Sequence, residues 1–376
     1  MAKCPVNSWN EWDPLEEVVV GSVANYKMYL DCIWYATGFR YTKGDNRFRI
    51  NYPDEWLAAA TREEDNLVRL LQNEGVVVRR PTVPSVRQNF ETPYWSSPSG
   101  IDGANPRDVL LVVGNEIIEA PRMSRSHYFD SFAYLPLMKE YFHAGACWTA
   151  APKISMSDEL YRVPFEAYKF ASDDLYPAPK SEQRRSLLES DSWITTEFEP
   201  AWDAADCLRC GKDIFAQRSL TSNSFGIKWL ARHLEPKGVR VHEIRCRDEA
   251  AWHIDATLTA LRPGLIMANP DKPCLNIDIF KSNGWTVVDA PRPSGEFPPG
   301  PRMVSNWIAM NVLSISPDTV IVEEKERLTI ETLKSLGFRV ISVPFQNCYR
   351  FVGGLHCHTL DVRRRGNMEN YFPDIK

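Results

Sequence analysis

Residues 54–78 read DEWLAAATREEDNLVRLLQNEGVVV, and this stretch contains the pattern that decides the fold. Leu57, Ala60, Leu67 and Leu71 recur on one face of a 3.6-residue repeat, so an amphipathic helix is predicted from Asp54 to Glu74. Gly75 is a candidate cap at the C-terminal end of this helix. The β-branched run that follows is predicted to form a short strand.

The same ending, a glycine followed by a short apolar strand, occurs four more times in the chain. The further glycines are Gly145, Gly238, Gly284 and Gly337. Paired apolar segments precede the endings at Gly145, Gly284 and Gly337, so the pattern predicts five repeated α/β modules. Two ordinary α/β domains remain an alternative, because repeated αβ units alone do not close a ring. The uneven spacing places insertions in the early modules, and the charged, Pro- and Ser-containing segment Glu159–Ser192 is predicted to be an insertion or flap.

The composition is that of an ordinary globular protein, with 376 residues, 44% apolar residues, 25% charged residues and a net charge of −5. This balance argues against disorder and against a nucleic-acid-binding surface. We interpret the short run Arg363–Arg365 as a solvated or ion-paired end. No stretch has the roughly 18 to 20 apolar residues needed to span a bilayer. An N-terminus without a secretory pattern, together with nine cysteines, favours a cytoplasmic protein, and the lone pair Cys207 and Cys210 gives little support for zinc.

Cys357 carries the strongest chemical signal, within the string FVGGLHCHT of residues 351–359. Glycines let a backbone approach a ligand closely, and neighbouring imidazoles or backbone N–H groups can lower the pKa of a thiol. We therefore take Cys357 as a candidate nucleophile. A buried structural cysteine is the alternative, since free cysteine is among the most buried residue types.

Acidic and imidazole side chains stand at several places where paired strands are predicted to end. They are Asp108, Asp203, Asp206, His253 and Asp255. His253 and Asp255 are two residues apart, so they would point the same way on a strand. Each alone is more typical of a cap or turn. Together, a thiol, an imidazole and carboxylates without arginine or lysine neighbours predict a pocket in which sulfur attacks a planar cation such as a guanidinium.

Over nearly its whole length the chain resembles the glycine amidinotransferase family, the arginine-dependent amidino-transfer branch of the guanidino-modifying enzymes. The strings that carry the resemblance are residues 10–18 (NEWDPLEEV), 106–108 (PRD), 113–121 (VGNEIIEAP), 203–206 (DAAD), 213–219 (DIFAQRS), 253–257 (HIDAT), 356–357 (HC) and 361–364 (DVRR). The resemblance implies a pentein-like α/β fold, a five-bladed pseudo-symmetric propeller of ββαβ modules, in one domain over residues 1–376. It implies no metal and no organic cofactor, and it suggests a homodimer.

The resemblance also implies a role for each candidate residue. Cys357 would attack the guanidinium carbon of L-arginine, giving an amidino-cysteine intermediate and releasing L-ornithine. His253 would protonate the leaving amine and later deprotonate the acceptor amine, while Asp203 orients His253. Asp108 and Asp255 would hold the guanidinium by charge-assisted hydrogen bonds.

Departures from the family pattern concern the acceptor pocket. Lys272 stands where glycine-using members carry an arginine, and a lysine lacks the fork that grips a carboxylate with two bonds. Val304 replaces one of two serines, while Ser305 keeps the other. Ala250 and Trp252 replace a polar Asn and a Met. L-Arginine is therefore expected as the donor, and the acceptor is expected to be a small amine without a carboxylate. Related enzymes of specialised metabolism use amino-cyclitols, or arginine-derived amines on the way to saxitoxin-like guanidinium toxins.

Other interpretations stay open at this point. A glycine amidinotransferase would make guanidinoacetate, and an arginine deiminase would admit water in the second step and form citrulline. A noncatalytic guanidine-binding protein and a Cys-His-Asp hydrolase acting on peptides or esters are two more. His356 and His358 match no catalytic position, and we predict only packing or backbone support for them.

Overall fold

The computed structural model describes residues 4–29, 32–37, 49–50, 52–85, 89–97, 101–163, 177, 179–297 and 304–375. Within this part of the chain, fifteen strands form five three-stranded sheets. In every one of these sheets the middle strand pairs antiparallel with one neighbour and parallel with the other, which is the pairing of a ββαβ module. The predicted five-bladed α/β fold is therefore confirmed.

Each module consists of three strands and one helix. The first module has strands Thr359–Arg364, Leu15–Val20 and Val77–Arg79 and helix Asp54–Asn73. The second has strands Leu110–Val113, Glu116–Glu119 and Cys147–Ala150 and helix Leu135–His143. The third has strands Cys207–Cys210, Asp213–Gln217 and Arg240–Ile244 and helix Ser224–Leu234. The fourth has strands Leu258–Arg262, Leu265–Ala268 and Thr286–Asp289 and helix Asp278–Ser282. The fifth has strands Leu313–Ser316, Thr319–Glu323 and Arg339–Val343 and helix Arg327–Ser335.

Shorter elements lie between the modules. They are helices Cys32–Ala36, Pro106–Val109 and Glu182–Glu189 and strands Met28–Tyr29, Arg49–Ile50, Phe90–Glu91 and Ser96–Ser97. The predicted insertion Glu159–Ser192 lies between the second and third modules, and residues 164–176 and 178 of it are outside the described residues. Among the helices that the structure describes, none combines the length and the apolar character needed to cross a bilayer.

The five predicted helix–glycine–strand endings are all present. Each of the five glycines has a positive φ, between 74° and 100°. At the first ending, the N–H groups of Gly75 and Val76 donate to the carbonyls of Gln72 and Leu71, both at 3.0 Å. This pattern ends a helix with one left-handed residue, which glycine adopts without a steric penalty.

Neighbouring modules are joined by apolar cores, and the alternation of side chains along each strand explains why. Val18 packs into a core shared with Leu313 of the fifth module, whereas the next residue, Val19, packs into a core shared with Leu110 of the second. The residue after Leu110, Leu111, points to the opposite face and packs with the third module. Strands such as Leu110–Val113 and Leu265–Ala268 are therefore buried on both faces and read as continuous apolar runs rather than as alternating ones.

The first sheet joins the two ends of the chain. Its strand Thr359–Arg364 pairs antiparallel with Leu15–Val20, with Val18 opposite Asp361. Arg364 is buried and donates from Nε to Asp361 Oδ2 at 2.7 Å. The prediction of a solvated or ion-paired end is therefore only partly right. Arg364 is paired inside the protein, and its strand closes the ring of modules.

Candidate active site

The candidate residues lie on short turns that directly precede the first strand of each module. Asp108 lies in the helix Pro106–Val109, which leads into the second module. Asp203 precedes the turn Ala204–Asp206 of the third, and His253 precedes the turn Ile254–Ala256 of the fourth. The prediction that Asp108 lies just before an apolar strand is confirmed, because the strand Leu110–Val113 follows it. The prediction that His253 and Asp255 share a strand is wrong. The five-fold arrangement of the turns brings the candidate residues together.

Cys357 lies just before the ring-closing strand and is only 3% exposed. Its Sγ lies 3.3 Å from Asp255 Oδ2 and 3.1 Å from Asn311 Nδ2, which donates to it. Asn311 Oδ1 also accepts the backbone N–H groups of His356 and Cys357, at 2.7 and 3.1 Å. Asn311 thus fixes both the thiol and its backbone. Sequence reasoning missed this residue, which comes from the turn before the fifth module.

His253 stands between two carboxylates. Its Nε2 lies 3.2 Å from Asp203 Oδ2, and its Nδ1 lies 3.7 Å from Asp108 Oδ1. Polar atoms of Asp108, His253 and Cys357 all lie within 4.8 Å of one another. Burial disfavours the charged imidazole, but the charge of Asp108 and the hydrogen bonds to Asp203 and Cys357 outweigh it and hold the pKa of His253 well above its usual value. These neighbours therefore favour the charged form of the imidazole.

Arg122 corrects the prediction of carboxylates without a cationic neighbour. Its buried guanidinium lies 3.1 Å from Asp203 Oδ2, 3.9 Å from Asp108 Oδ2 and 3.9 Å from Asp130 Oδ2. Its backbone is left-handed, with φ of 63°, which is uncommon for a residue with a side chain. The positive charge of Arg122 offsets the negative charges of these three carboxylates near His253. The sequence offered no signal for it beyond an arginine after Ala120-Pro121.

Two buried carboxylate oxygens at the site have no hydrogen-bond donor among the described residues. They are Asp108 Oδ1 and Asp203 Oδ1. Burial also raises the pKa of Asp108, in spite of the nearby charges of His253 and Arg122. An unpaired buried acceptor is costly, so a bound cation with several N–H groups would remove that cost.

The thiol of Cys357 is held in its protonated form in this environment. Burial and the negative charge of Asp255 raise its pKa to about 12, although hydrogen bonding to His253 acts in the opposite direction. Asp255 itself stays ionised. Burial would raise the pKa of Asp255, but the hydrogen bond and charge of His356, the charge of His253 and the hydrogen bond with Cys357 together outweigh burial and lower it.

The Asp255→Asn variant is expected to react faster with iodoacetamide at Cys357 near pH 7, in the absence of substrate. Removing the negative charge 3.3 Å from Sγ lowers the pKa of the thiol, and the thiolate is the reactive form. A fall of one pKa unit raises the rate about tenfold. The wild-type rate should keep rising well above pH 9. An unchanged or slower rate in Asp255→Asn would contradict this electrostatic account, and Asp271→Asn, which removes a more distant carboxylate, is the control.

A cavity of about 680 Å³ opens beside the thiol. Its lining includes all the predicted pocket residues, Ala250, Trp252, Lys272, Val304 and Ser305, together with Cys357, His253 and Asp255. Lys272 Nζ forms an ion pair of 2.5 Å with Asp248 Oδ2, and Ser305 Oγ accepts the backbone N–H of Trp307 at 3.2 Å. The ring of Trp252 packs against that of Trp34, with centroids 4.6 Å apart.

Three groups of side chains among the described residues have the proximity that a metal ion would need. They are Asp108, His253 and Cys357 at the site, then Glu64, Cys348 and His358, and lastly Asp102, His127 and Asp130. Cys207 and Cys210 belong to none of them, and both thiols are buried with pKa values raised well above the ordinary value by burial.

The chain is similar to known proteins over nearly its whole length. The mitochondrial glycine amidinotransferase of Xenopus tropicalis is 43% identical over 376 residues, which cover 98% of this chain and 85% of that protein. The chain belongs to the glycine amidinotransferase family. The L-arginine:L-lysine amidinotransferase of Pseudomonas savastanoi pv. phaseolicola is 40% identical, with 98% of this chain and 96% of that protein covered.

Other comparisons agree with the assignment to the amidinotransferases. A solved amidinotransferase of Microseira wollei from the saxitoxin biosynthetic pathway matches with a TM-score of 0.83 and 42% identity, over 98% of this chain and all of that one. A family model described as arginine deiminase matches residues 305–364, which include Asn311 and Cys357. The chain is thus an amidinotransferase, a transferase of one-carbon groups.

Proposed function

We propose that this amidinotransferase moves the amidino group of L-arginine through a covalent intermediate on Cys357 to a primary amine that lacks a carboxylate, releasing L-ornithine. The observation that carries the proposal is the meeting of a thiol, an imidazole and buried carboxylates at one point, with polar atoms of Asp108, His253 and Cys357 within 4.8 Å of one another. This set suits a planar cation that is attacked by sulfur.

In the first half-reaction, Asp108 and Asp255 accept hydrogen bonds from the guanidinium and turn its carbon towards Sγ. The positive charge of the bound guanidinium favours the thiolate, and the thiol proton leaves to solvent through the open cavity. Sulfur forms a bond to the guanidinium carbon, and the bond from that carbon to the δ-nitrogen of arginine breaks. His253 gives its proton to that nitrogen, which leaves as the amine of L-ornithine.

In the second half-reaction, the acceptor amine takes the place that ornithine has left. His253 is now neutral and removes a proton from the amine, which attacks the amidino carbon. The carbon–sulfur bond breaks, the new guanidino product leaves, and the sulfur departs as a thiolate that takes up a proton from solvent. Asp203 keeps the imidazole in place in both directions through its hydrogen bond to Nε2, at 3.2 Å.

The pocket is expected to bind the carboxylate of a substrate only weakly. Lys272 shares its charge with Asp248, and Val304 has no polar side-chain atom. The hydroxyl of Ser305 accepts from Trp307 and keeps one proton to donate. L-Arginine tolerates this because carboxylates also hold its other end. The pocket can hold glycine only through its carboxylate, so the weakened carboxylate binding should lower the affinity for glycine more than that for L-arginine.

The relatives do not share one acceptor, because the Xenopus tropicalis relative is named for glycine. The Pseudomonas relative is named for transfer to L-lysine, and the Microseira relative belongs to the saxitoxin pathway. An amine from a secondary-metabolite pathway is therefore the acceptor class we propose for this enzyme.

A panel of amines supplied with L-arginine tests this proposal. We expect putrescine or an amino-cyclitol to give a higher kcat/KM than glycine, with one ornithine released for each guanidino product. A preference for glycine would refute the acceptor class, and steady citrulline without any amine would make the enzyme a hydrolase. The variant Val304→Ser is the matched control, because a restored hydroxyl should improve the use of glycine and leave that of putrescine nearly unchanged.

A further inference from the structure

His356, the residue directly before Cys357, bridges two carboxylates. Its Nδ1 lies 3.0 Å from Asp255 Oδ2, and its Nε2 lies 3.3 Å from Glu11 Oε2. An ionised carboxylate accepts hydrogen bonds, so each ring nitrogen of His356 faces an acceptor. Its backbone N–H is fixed as well, because it donates to Asn311 Oδ1 at 2.7 Å. The prediction of mere packing or backbone support for His356 is therefore too weak.

Glu11, on the far side of the ring of His356, is a rigid anchor. Arg209 donates to both of its oxygens at 2.8 Å, and Arg107 donates to Oε2 at 3.2 Å. Both arginines also bind Asp361 in the ring-closing strand. Burial would raise the pKa of Glu11, but Arg209 and Arg107 outweigh it and hold the pKa well below its usual range. Glu11 is therefore a fixed anion that is tied to the closure of the fold.

Asp255, on the near side of the ring, must hold a definite position. Its Oδ2 accepts from His356 and also lies 3.3 Å from Sγ of Cys357. The same carboxylate therefore meets the fixed imidazole on one side and the reacting sulfur on the other. Without His356, Asp255 would lose the contact that connects it to Glu11. Its carboxylate could then rotate away from the thiol.

We propose that His356 is a positioning residue, a link through which the Glu11 anchor sets the distance between Asp255 and the thiol. This inference rests on the proposed function, since it takes Asp255 as a holder of the guanidinium. His356 itself touches neither the sulfur nor the substrate in this role.

Two conservative variants separate the two bonds of His356. The side-chain amide nitrogen of asparagine matches the place of Nδ1, whereas that of glutamine matches the place of Nε2. His356→Asn keeps a donor towards Asp255, and His356→Gln keeps one towards Glu11. We expect His356→Ala to lower kcat/KM for arginine by about 100-fold, the loss typical of a displaced catalytic contact. His356→Asn should stay within about tenfold of the wild type, and His356→Gln should resemble alanine.

The outcomes separate this inference from the proposed function. The rate of the ornithine burst and the thermal midpoint are measured for each variant, with His233→Gln as control, because His233 makes a similar contact of 3.0 Å with Glu116 away from the site. Equal activity of the asparagine and glutamine variants, or activity that follows the thermal midpoint, would overturn the positioning role. If the wild-type enzyme gives no ornithine burst, the proposed function fails instead.

Discussion

The Cys357→Ser variant is expected to lose ornithine release from L-arginine by on the order of 10⁴-fold or more. A serine hydroxyl is ionised far less readily than a thiol, and the nearby charge of Asp255 disfavours an anion at this position still further. The substitution is nearly isosteric in a side chain that is 3% exposed, so the fold should be retained. Ornithine release by the purified variant, with L-arginine and an active acceptor, is the measurement.

A second buried cysteine offers a matched control for this loss. Cys348 is fully buried and donates from Sγ to the carbonyl of Ala60 at 3.5 Å, a bond that a serine hydroxyl can also make. The Cys348→Ser variant should keep activity close to that of the wild type. Full arginine turnover by Cys357→Ser would contradict every covalent account of this site.

The His253→Gln variant is expected to lower the rate of ornithine formation by about 10²- to 10⁴-fold. Glutamine can donate a hydrogen bond but cannot give a proton to the leaving nitrogen. Cys357 also loses the imidazole that favours its thiolate. The rate of the ornithine burst should therefore fall, and not only its amplitude. His242→Gln, which changes a histidine that contacts Asp213 at 2.7 Å away from the site, is the control. An ornithine burst within a few-fold of the wild-type rate would remove His253 from the acid role.

The pH dependence gives a second test of His253. Its pKa is raised well above the usual value, so the charged, proton-donating form persists below that raised pKa and is lost as the pH rises through it. The Asp203→Asn variant removes one of the groups that raise this pKa. The alkaline limb of kcat/KM for arginine should therefore move to lower pH in Asp203→Asn. An unmoved limb would show that His253 does not control it.

The sequence predicts the modules well because their signals are local. The face formed by Ala60, Leu67 and Leu71 and the glycine after the helix are set by helix periodicity and by left-handed backbone geometry. The same reasoning placed the endings at Gly238 and Gly337. It did not find the hairpin Cys207–Gln217 of the third module, whose strands contain Arg209 and Asp213 among apolar residues. These buried charges are explained by partners that lie far away in the sequence.

The closure of the ring of modules also depends on residues that are distant in the sequence. The same is true of the contacts that Asn311 and Arg122 make at the site. The strand Thr359–Arg364 looked like a charged end, because the carboxylate that pairs with Arg364 and the strand opposite it are visible only after folding. Asn311 and Arg122 act through contacts between modules and have no local motif. Cys357 stood out through its own glycines and histidines.

His253 and Asp255 lie next to Cys357, but their local structure differs from the predicted strand. The two residues were chosen because a strand would place them on one face, but they lie at a 3₁₀ turn. They still converge on the thiol, since the turn leads into the first strand of its module as the other site turns do. Short apolar and polar patterns do not separate a strand from a turn.

The most direct test of the account is the mass of the intact protein, measured after rapid mixing with L-arginine and acid quenching. The account predicts one added amidino group per chain, located on Cys357 by peptide mapping and formed together with one equivalent of ornithine. A suitable amine should then discharge the adduct. Ornithine formed at full rate with no adduct, or an adduct that persists in Cys357→Ser, would contradict the covalent mechanism.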